Sequence, residues 1–372
     1  MRETRVLKSF FTSLLVAALS SASSAGSWRF IATGDSRGSD NGVNTAILGE
    51  LAAEIVSQAV DLVVFPGDLV TGGVNQTALE SQLLTWRDTM QPVYGAGIGL
   101  YPVRGNHDLG SPPGVTAWNN VFSGAYLLPQ NGPPGELNLT YSVAHENALF
   151  LGLDEYVTPH RVNQAWIDDQ LAVNTSPHVF AFGHEPAFKV RHSDCLDDYP
   201  ANRNAFWASL EGTGGRTYFC GHDHFYDHAR VDDDGDPDND VHQYVVGTAG
   251  APLYSWSGNY DGVNSGYTVE NVYHAQEYGY VLGEIDGLDA TLTWMERVAA
   301  NTFEAKEQWS YTAVPEPATP CLFVIGAGLL WSRVRRRRDG PARAHDRRCG
   351  PAVRLVSPFL SQAARSAPPV SS

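Results

Sequence analysis

The feature that most restricts the fold of this chain is a pattern that occurs five times. A short apolar, β-prone run stops, a glycine follows, and side chains able to ligate a metal come directly after it. Trp28–Thr33 leads into Gly34-Asp35, Asp61–Phe65 into Gly67-Asp68, and Gly99–Val103 into Gly105-Asn106-His107-Asp108. Val179–Phe182 leads into Gly183-His184, and Thr217–Cys220 into Gly221-His222-Asp223-His224. In layered α/β folds the loops beyond strand C-termini form the ligand crevice, and glycine lets the backbone turn sharply there. Five such loops would bring their side chains to one place.

The segments between fit that architecture. Asn44–Ala59 carries Ile47, Leu51, Ile55 and Val56 at helical spacing, and Ala78–Met90 and Gln164–Val173 also read as helices. Leu149–Leu153 reads as a strand reaching Asp154, with later strands at Gln243–Val246, Tyr278–Glu284 and Ala290–Trp294. The expectation is a layered α/β domain over residues 27–312 with a mixed or antiparallel later half. An apolar content of 43% in 372 residues can supply its core, and 36 glycines and nine tryptophans fit neither disorder nor a coiled coil. Between the two chain ends lie 12 basic and 38 acidic residues. A body that acidic repels nucleic acid, so sequence-independent binding to DNA or RNA is excluded for it.

The loop-end residues Asp35, Asp68, Asn106, His107, His184, His222 and His224 offer carboxylate, amide oxygen and imidazole. These are donors that Mn²⁺, Fe²⁺ and Zn²⁺ accept. The ordered succession of the five motifs resembles the calcineurin-like metallophosphoesterases over roughly residues 29–225, and Gly247-Thr-Ala-Gly-Ala251 resembles the glycine-rich loop that often follows. The resemblance implies an α/β/β/α sandwich of two mixed β-sheets flanked by helices, with two divalent metal ions (Mn, Fe or Zn) between strand ends. Carried over, Asp68 bridges the ions, Asn106, His184 and His222 complete one site, and Asp35 and His224 serve the other. His107 stands beside the substrate as general acid or transition-state stabiliser, oriented by Asp108. The implied activity is hydrolysis of phosphomonoesters or phosphodiesters in a small phosphorylated substrate by a metal-activated water, without a covalent enzyme intermediate.

One motif departs from the family. The usual Asp-x-His is here Asp35-Ser36-Arg37, and arginine does not deprotonate to bind a metal. Three readings stay open: a weaker first site completed by water, with Arg37 binding the substrate phosphate through its planar fork; a mononuclear enzyme that keeps Asn106, His184 and His222; and a degenerate binding domain of the cell surface or extracellular matrix. Thr71 stands where purple acid phosphatases place a tyrosine, which argues against an Fe³⁺–tyrosinate centre.

Other segments are weaker signals. Asp232–Asp240 could hold Ca²⁺, but its spacing does not match the EF-hand loop and a solvated acidic hairpin is the expectation. Asp154, Tyr156 and His160 are candidates to line the pocket. Tyr254–Tyr260, including Trp256, either walls the substrate site or caps the core, and a cap is expected. There is no Walker loop, Gly-x-Ser-x-Gly elbow or dinucleotide fingerprint.

The two ends read as addresses. Residues 1–25 have the charged start, apolar run and small-residue end of a signal peptide. Val314-Pro-Glu-Pro317, the apolar Cys321–Trp331 and the arginines up to Arg338 resemble the PEP-CTERM sorting signal of exported Gram-negative proteins. That resemblance implies a short transmembrane stretch, a membrane sorting protease as partner, and passage through the inner membrane to the periplasm, cell surface or matrix. Residues 339–372, rich in Arg, Ala, Pro and Ser, read as a disordered tail. Cys195 and Cys220 are open to either a disulfide or free thiols.

Overall fold

The computed structural model describes residues 26–314. The expected signal peptide, the sorting segment beyond Val314, and the tail lie outside the described residues. Strands β1 (Trp28–Ala32), β2 (Arg37–Asp40), β3 (Leu62–Pro66), β4 (Gly99–Val103), β5 (Tyr141–His145), β6 (Ala148–Gly152) and β7 (His178–Phe182) come first. They are followed by β8 (Thr217–Cys220), β9 (Tyr226–Asp232), β10 (Val241–Val246), β11 (Thr268–Ala275), β12 (Gly279–Asp286), β13 (Asp289–Ala299) and β14 (Thr302–Thr312). The helices are α1 (Thr45–Ser57), α2 (Gln76–Thr89), α3 (Gln91–Gly95), α4 (Thr116–Val121), α5 (Gln164–Val173) and α6 (Pro200–Gly212).

Two mixed sheets result. One has the order β14-β13-β12-β1-β3-β4, the other β11-β9-β10-β8-β7-β6-β5. Strands β1, β3 and β4 run parallel, as do β6, β7, β8 and β10, while β5, β9 and β11 to β14 pair antiparallel. Parallel neighbours end at the same edge of their sheet. The glycine-led loops therefore leave each sheet side by side.

Period-two alternation explains how the sheets pack. Phe150, Phe180 and Phe219 face the first sheet, whose Phe30 ring lies 5.2 Å from Phe150 and 4.9 Å from Phe180. Their neighbours Leu149, Leu151, Val179, Ala181 and Tyr218 point the other way, into a second core with Trp166, Ile167, Phe206 and Trp207 of α5 and α6. On the first sheet's outer side α1 buries Leu48, Leu51 and Ile55, and α2 buries Trp86 with its ring 5.2 Å from Phe65. Trp86 is fully buried, so Trp86→Ala would cost about 3–5 kcal/mol. Helices α1, α2 and α5 each start at an asparagine cap: Asn44, Asn75 and Asn163 accept from the N–H of Ile47, Ala78 and Trp166.

Strands β2, β5, β9, β11 and β14 and helices α3, α4 and α6 add to the sequence reading. Cys195 and Cys220 are both buried free thiols. Among the described residues no helix is long and apolar enough to cross a membrane.

Candidate metal centre

Loop backbones in unusual conformations set the donors. Asp35, Asp68 and His222 take positive φ values of 60°, 50° and 68°, a region that ordinary side chains rarely occupy and that clusters at functional sites. Gly67 has φ 75°, and a Cβ there would lie 2.6 Å from His184 Nδ1 and 2.8 Å from the Gly105 nitrogen. Glycine is required at that point because the Asp68 loop passes directly over the His184 ring. The loops also brace one another. Gly34 N–H donates to Val246 O (2.8 Å), Asp35 N–H to Gly67 O (3.1 Å), and Gly221 N–H to His184 O (2.8 Å).

Within that frame the expected donors converge. Single ligand atoms of Asp35, Asp68 and His184, all buried, lie within 4.8 Å of one another. His184 Nε2 is 3.5 Å from Asp68 Oδ1 and 3.2 Å from Asn106 Oδ1. Its Nδ1 faces Pro66 O at 2.9 Å; a carbonyl only accepts, so the proton sits on Nδ1 and Nε2 presents a lone pair. The His222 ring lies 5.1 Å from that of His184, and Asp35 Oδ2 accepts from the His222 N–H at 3.1 Å. His224 Nε2 is 3.4 Å from Asp35 Oδ1.

Two observations show that the donors fit a cation. The buried His222 Nε2 and Asp35 Oδ1 have no hydrogen-bond partner in the protein. Leaving such atoms unsatisfied costs about 1–3 kcal/mol each, which coordination would offset. The donor set is also the imidazole, carboxylate and amide mixture of intermediate divalent metals.

Burial pushes the Asp68 carboxyl up, but His184 and His107 in their charged forms, together with Arg37, outweigh it and hold the group below its ordinary range. Burial lowers His222, yet Asp194, Asp223 and Asp68 dominate and bring it to about 9. His107 lies below its usual value through burial and the Arg37 charge, against the pull of Asp68.

His107 Nε2 faces the cleft, 4.0 Å from Asp68 Oδ2, and its Nδ1 faces Thr71 O. Asp108 does not orient this imidazole as expected. Its buried carboxylate accepts from the N–H groups of Gly105 (2.8 Å), Leu69 (3.2 Å) and Val70 (3.3 Å), tying two donor loops together. Asp108 is a positioning residue for backbone. Arg37 enters the cleft from β2, with Nε 3.5 Å from Asp68 Oδ2 and Nη2 2.9 Å from His224 Nε2.

The remaining candidates separate. Asp154 is buried in a bidentate pair with Arg104 (2.6 and 3.0 Å) and so supports the Asn106 loop instead of lining the cleft. The Tyr156 ring is 6.3 Å from His184, and His160 pairs with Glu185 at 2.9 Å. Tyr254 stacks on His224 at 4.1 Å and walls the site, while the Trp256 Nε1–H donates to Val190 O (3.0 Å) and caps the second core. The Asp232–Asp240 loop is a turn whose side chains accept from its own N–H groups, including those of Asp234, Gly235 and Asp236. Three residues escaped the sequence reading. Asp194 Oδ1 lies 3.5 Å from His222 Nε2, the His192 ring 4.7 Å from the His222 ring, and buried Glu155 accepts from the His184 N–H at 2.8 Å. Asp194 and His192 follow no strand end, and Glu155 is set three residues beyond Gly152 at the end of β6 instead of directly after the glycine, so the signal that found the others passes over them.

A two-sheet sandwich carrying imidazole and carboxylate donors on its strand-end loops defines a metal-binding α/β class. Within it, the family model for calcineurin-like phosphoesterase matches residues 29–226, and the chain belongs to that family. The fold is similar to that of a purple acid phosphatase, PPD1, from yellow lupin seeds (TM-score 0.60, 14% identity), covering 79% of this chain and 57% of that one. It is also similar to PhoD (0.57, 12%; 84% and 78% covered) and to GAP50, the anchor in the inner membrane complex of Plasmodium (0.54, 14%; 81% and 95%). This chain thus spans little more than half the length of the lupin protein. Among curated protein sequences none matches.

Proposed function

We propose that the protein is a metal-dependent phosphoesterase that hydrolyses phosphomonoesters or phosphodiesters of small substrates. The observation that carries this reading is the convergence of buried ligand atoms of Asp35, Asp68 and His184 within 4.8 Å of one another, with Asn106 Oδ1 3.2 Å from His184 Nε2. Asp68, Asn106, His184 and His222 would hold a divalent ion (Mn, Fe or Zn), with Asp35 and His224 on its flank. Such an ion supplies Lewis acidity and lowers the pKa of water. Arg37 offers N–H groups to phosphate oxygens, and His107 presents Nε2 to the leaving group. With Nδ1 committed to Thr71 O, His107 donates from Nε2 only as imidazolium, once a bound phosphate has drawn the Arg37 guanidinium off that atom.

The test is turnover of p-nitrophenyl phosphate and bis-p-nitrophenyl phosphate by the full chain. Activity on either that is abolished by a chelator and restored by Mn²⁺, Fe²⁺ or Zn²⁺ supports the reading; none on both, with metal bound, refutes it. The second reading is a binding domain of the cell surface or matrix. It is favoured by the contact of Arg37 with His224, and a protein described as an anchor shares the fold. We further propose that the chain is exported through the segment at residues 1–25 and sorted at Val314–Arg338.

A further inference from the structure

The two-ion arrangement implied by the family meets an obstacle in this chain's own residues. Asp35, Asp68 and His224 would close the first site, yet the Arg37 guanidinium already lies against Asp68 and His224. Nη2 is 2.9 Å from His224 Nε2 and 3.2 Å from the Tyr254 hydroxyl, Nη1 contacts His107 Nε2, and Nε is 3.5 Å from Asp68 Oδ2. These partners come from the loops after β3, β4, β8 and β10, and the arginine side chain is only 14% exposed.

The donor and acceptor roles are mutually consistent. His224 Nδ1 faces Pro252 O at 2.8 Å, and His107 Nδ1 faces Thr71 O. Carbonyls only accept, so each imidazole carries its proton on Nδ1 and turns a lone pair at Nε2 toward the arginine. A guanidinium only donates and keeps its charge at any relevant pH. The His224 lone pair cannot serve both an N–H of Arg37 and a metal ion, and the fixed charge of Arg37 also repels a cation at that point. The second donor set is unaffected. His184 Nε2, Asn106 Oδ1 and Asp68 Oδ1 face one another, and His222 Nε2, 3.5 Å from Asp194 Oδ1, makes no hydrogen bond to Arg37.

We propose that Arg37 is the resident cation of the first subsite, so that the centre takes a single divalent ion, at Asp68, Asn106, His184 and His222. The guanidinium replaces the first ion electrostatically. It balances the charge of Asp68. This inference rests on the metal-dependent reading above and specifies its stoichiometry.

The test is to saturate the full chain with Mn²⁺ and to measure bound metal by elemental analysis alongside the EPR spectrum. The wild type should hold one Mn²⁺ per chain with the six-line spectrum of an isolated ion. Arg37→His, which restores an imidazole, should hold two, with the multiline spectrum of a spin-coupled pair sharing Asp68. Arg37→Ala provides a second variant in which the space is opened without a new ligand. A second ion in either variant supports the proposal, and a count of one in both overturns it. A coupled pair in the wild type overturns it too, while leaving the phosphoesterase reading intact. No bound Mn²⁺ in any form overturns both.

Discussion

Removing Arg104 should destabilise the protein and disturb the metal loop together. Arg104 ends the run from β4 into Gly105-Asn106-His107. Its Nε and Nη2 donate to the two oxygens of Asp154 at 2.6 and 3.0 Å, and the two side chains are 4% and 0% exposed. Breaking a buried pair by removing one partner costs about 3–5 kcal/mol, because the other charge stays buried. Asp154 keeps hydrogen bonds from the N–H groups of Tyr156 and Val157 (2.9 and 3.0 Å), which places Arg104→Met near the lower end, about 3 kcal/mol. At about 2–4 °C per kcal/mol for a domain of this size, the melting temperature should fall by about 6–12 °C. The assay is urea and thermal unfolding of wild type, Arg104→Met, Asp154→Leu and the double variant. The double should lose less than the sum of the singles, by about 2 kcal/mol or more, since neither charge is then stranded. A loss below about 1 kcal/mol for Arg104→Met, or strict additivity, would refute the reasoning.

Three more outcomes follow from the same geometry. His107→Ala should lower turnover by about 10²–10⁴ with bound metal retained, as steady-state kinetics and elemental analysis together would show. Gly67→Ala places a methyl group against the His184 ring and the Gly105 nitrogen at a φ of 75°, so metal affinity by calorimetry should drop and the melting temperature with it. His242 is held well below its ordinary value by burial, with His228, Arg230 and Arg216 adding to the effect. The unfolded chain then binds the extra proton, so stability is complete above the unfolded value near 6.5 and is lost as pH falls toward the folded value. Between pH 6.5 and 5 this one group should account for up to about 2 kcal/mol, and His242→Asn should lose correspondingly less stability over that range in urea melts.

The site was more legible than the fold around it, for a physical reason. Each principal donor follows a buried strand and a glycine, and both leave strong local signals. Edge and late strands do not. β14 runs with the sequence TFEAKEQWSYT, exposed or half-exposed along its whole length, so its charged residues hide its strand character. Helix α6 opens on Pro200-Ala-Asn-Arg, with little apolar periodicity in its first turn. The orienting role of Asp108 came with the family resemblance, and no local sequence signal tests where its carboxylate points. The tight turn at Asn106–Leu109 instead sends its carboxylate back onto Gly105, Leu69 and Val70. The position of Arg37 was invisible for another reason, since its four partners are brought together only by the tertiary fold. Asp194 and Glu155 lie outside the motif grammar and act on His222 and His184 only in three dimensions.

Anomalous scattering from Mn²⁺- or Zn²⁺-soaked crystals examines the shared ion most directly. A peak about 2.0–2.3 Å from His184 Nε2, His222 Nε2 and an oxygen of Asp68 or Asn106 is the expected result. Saturating metal with no peak among those atoms, or with either histidine turned away from it, would contradict the account.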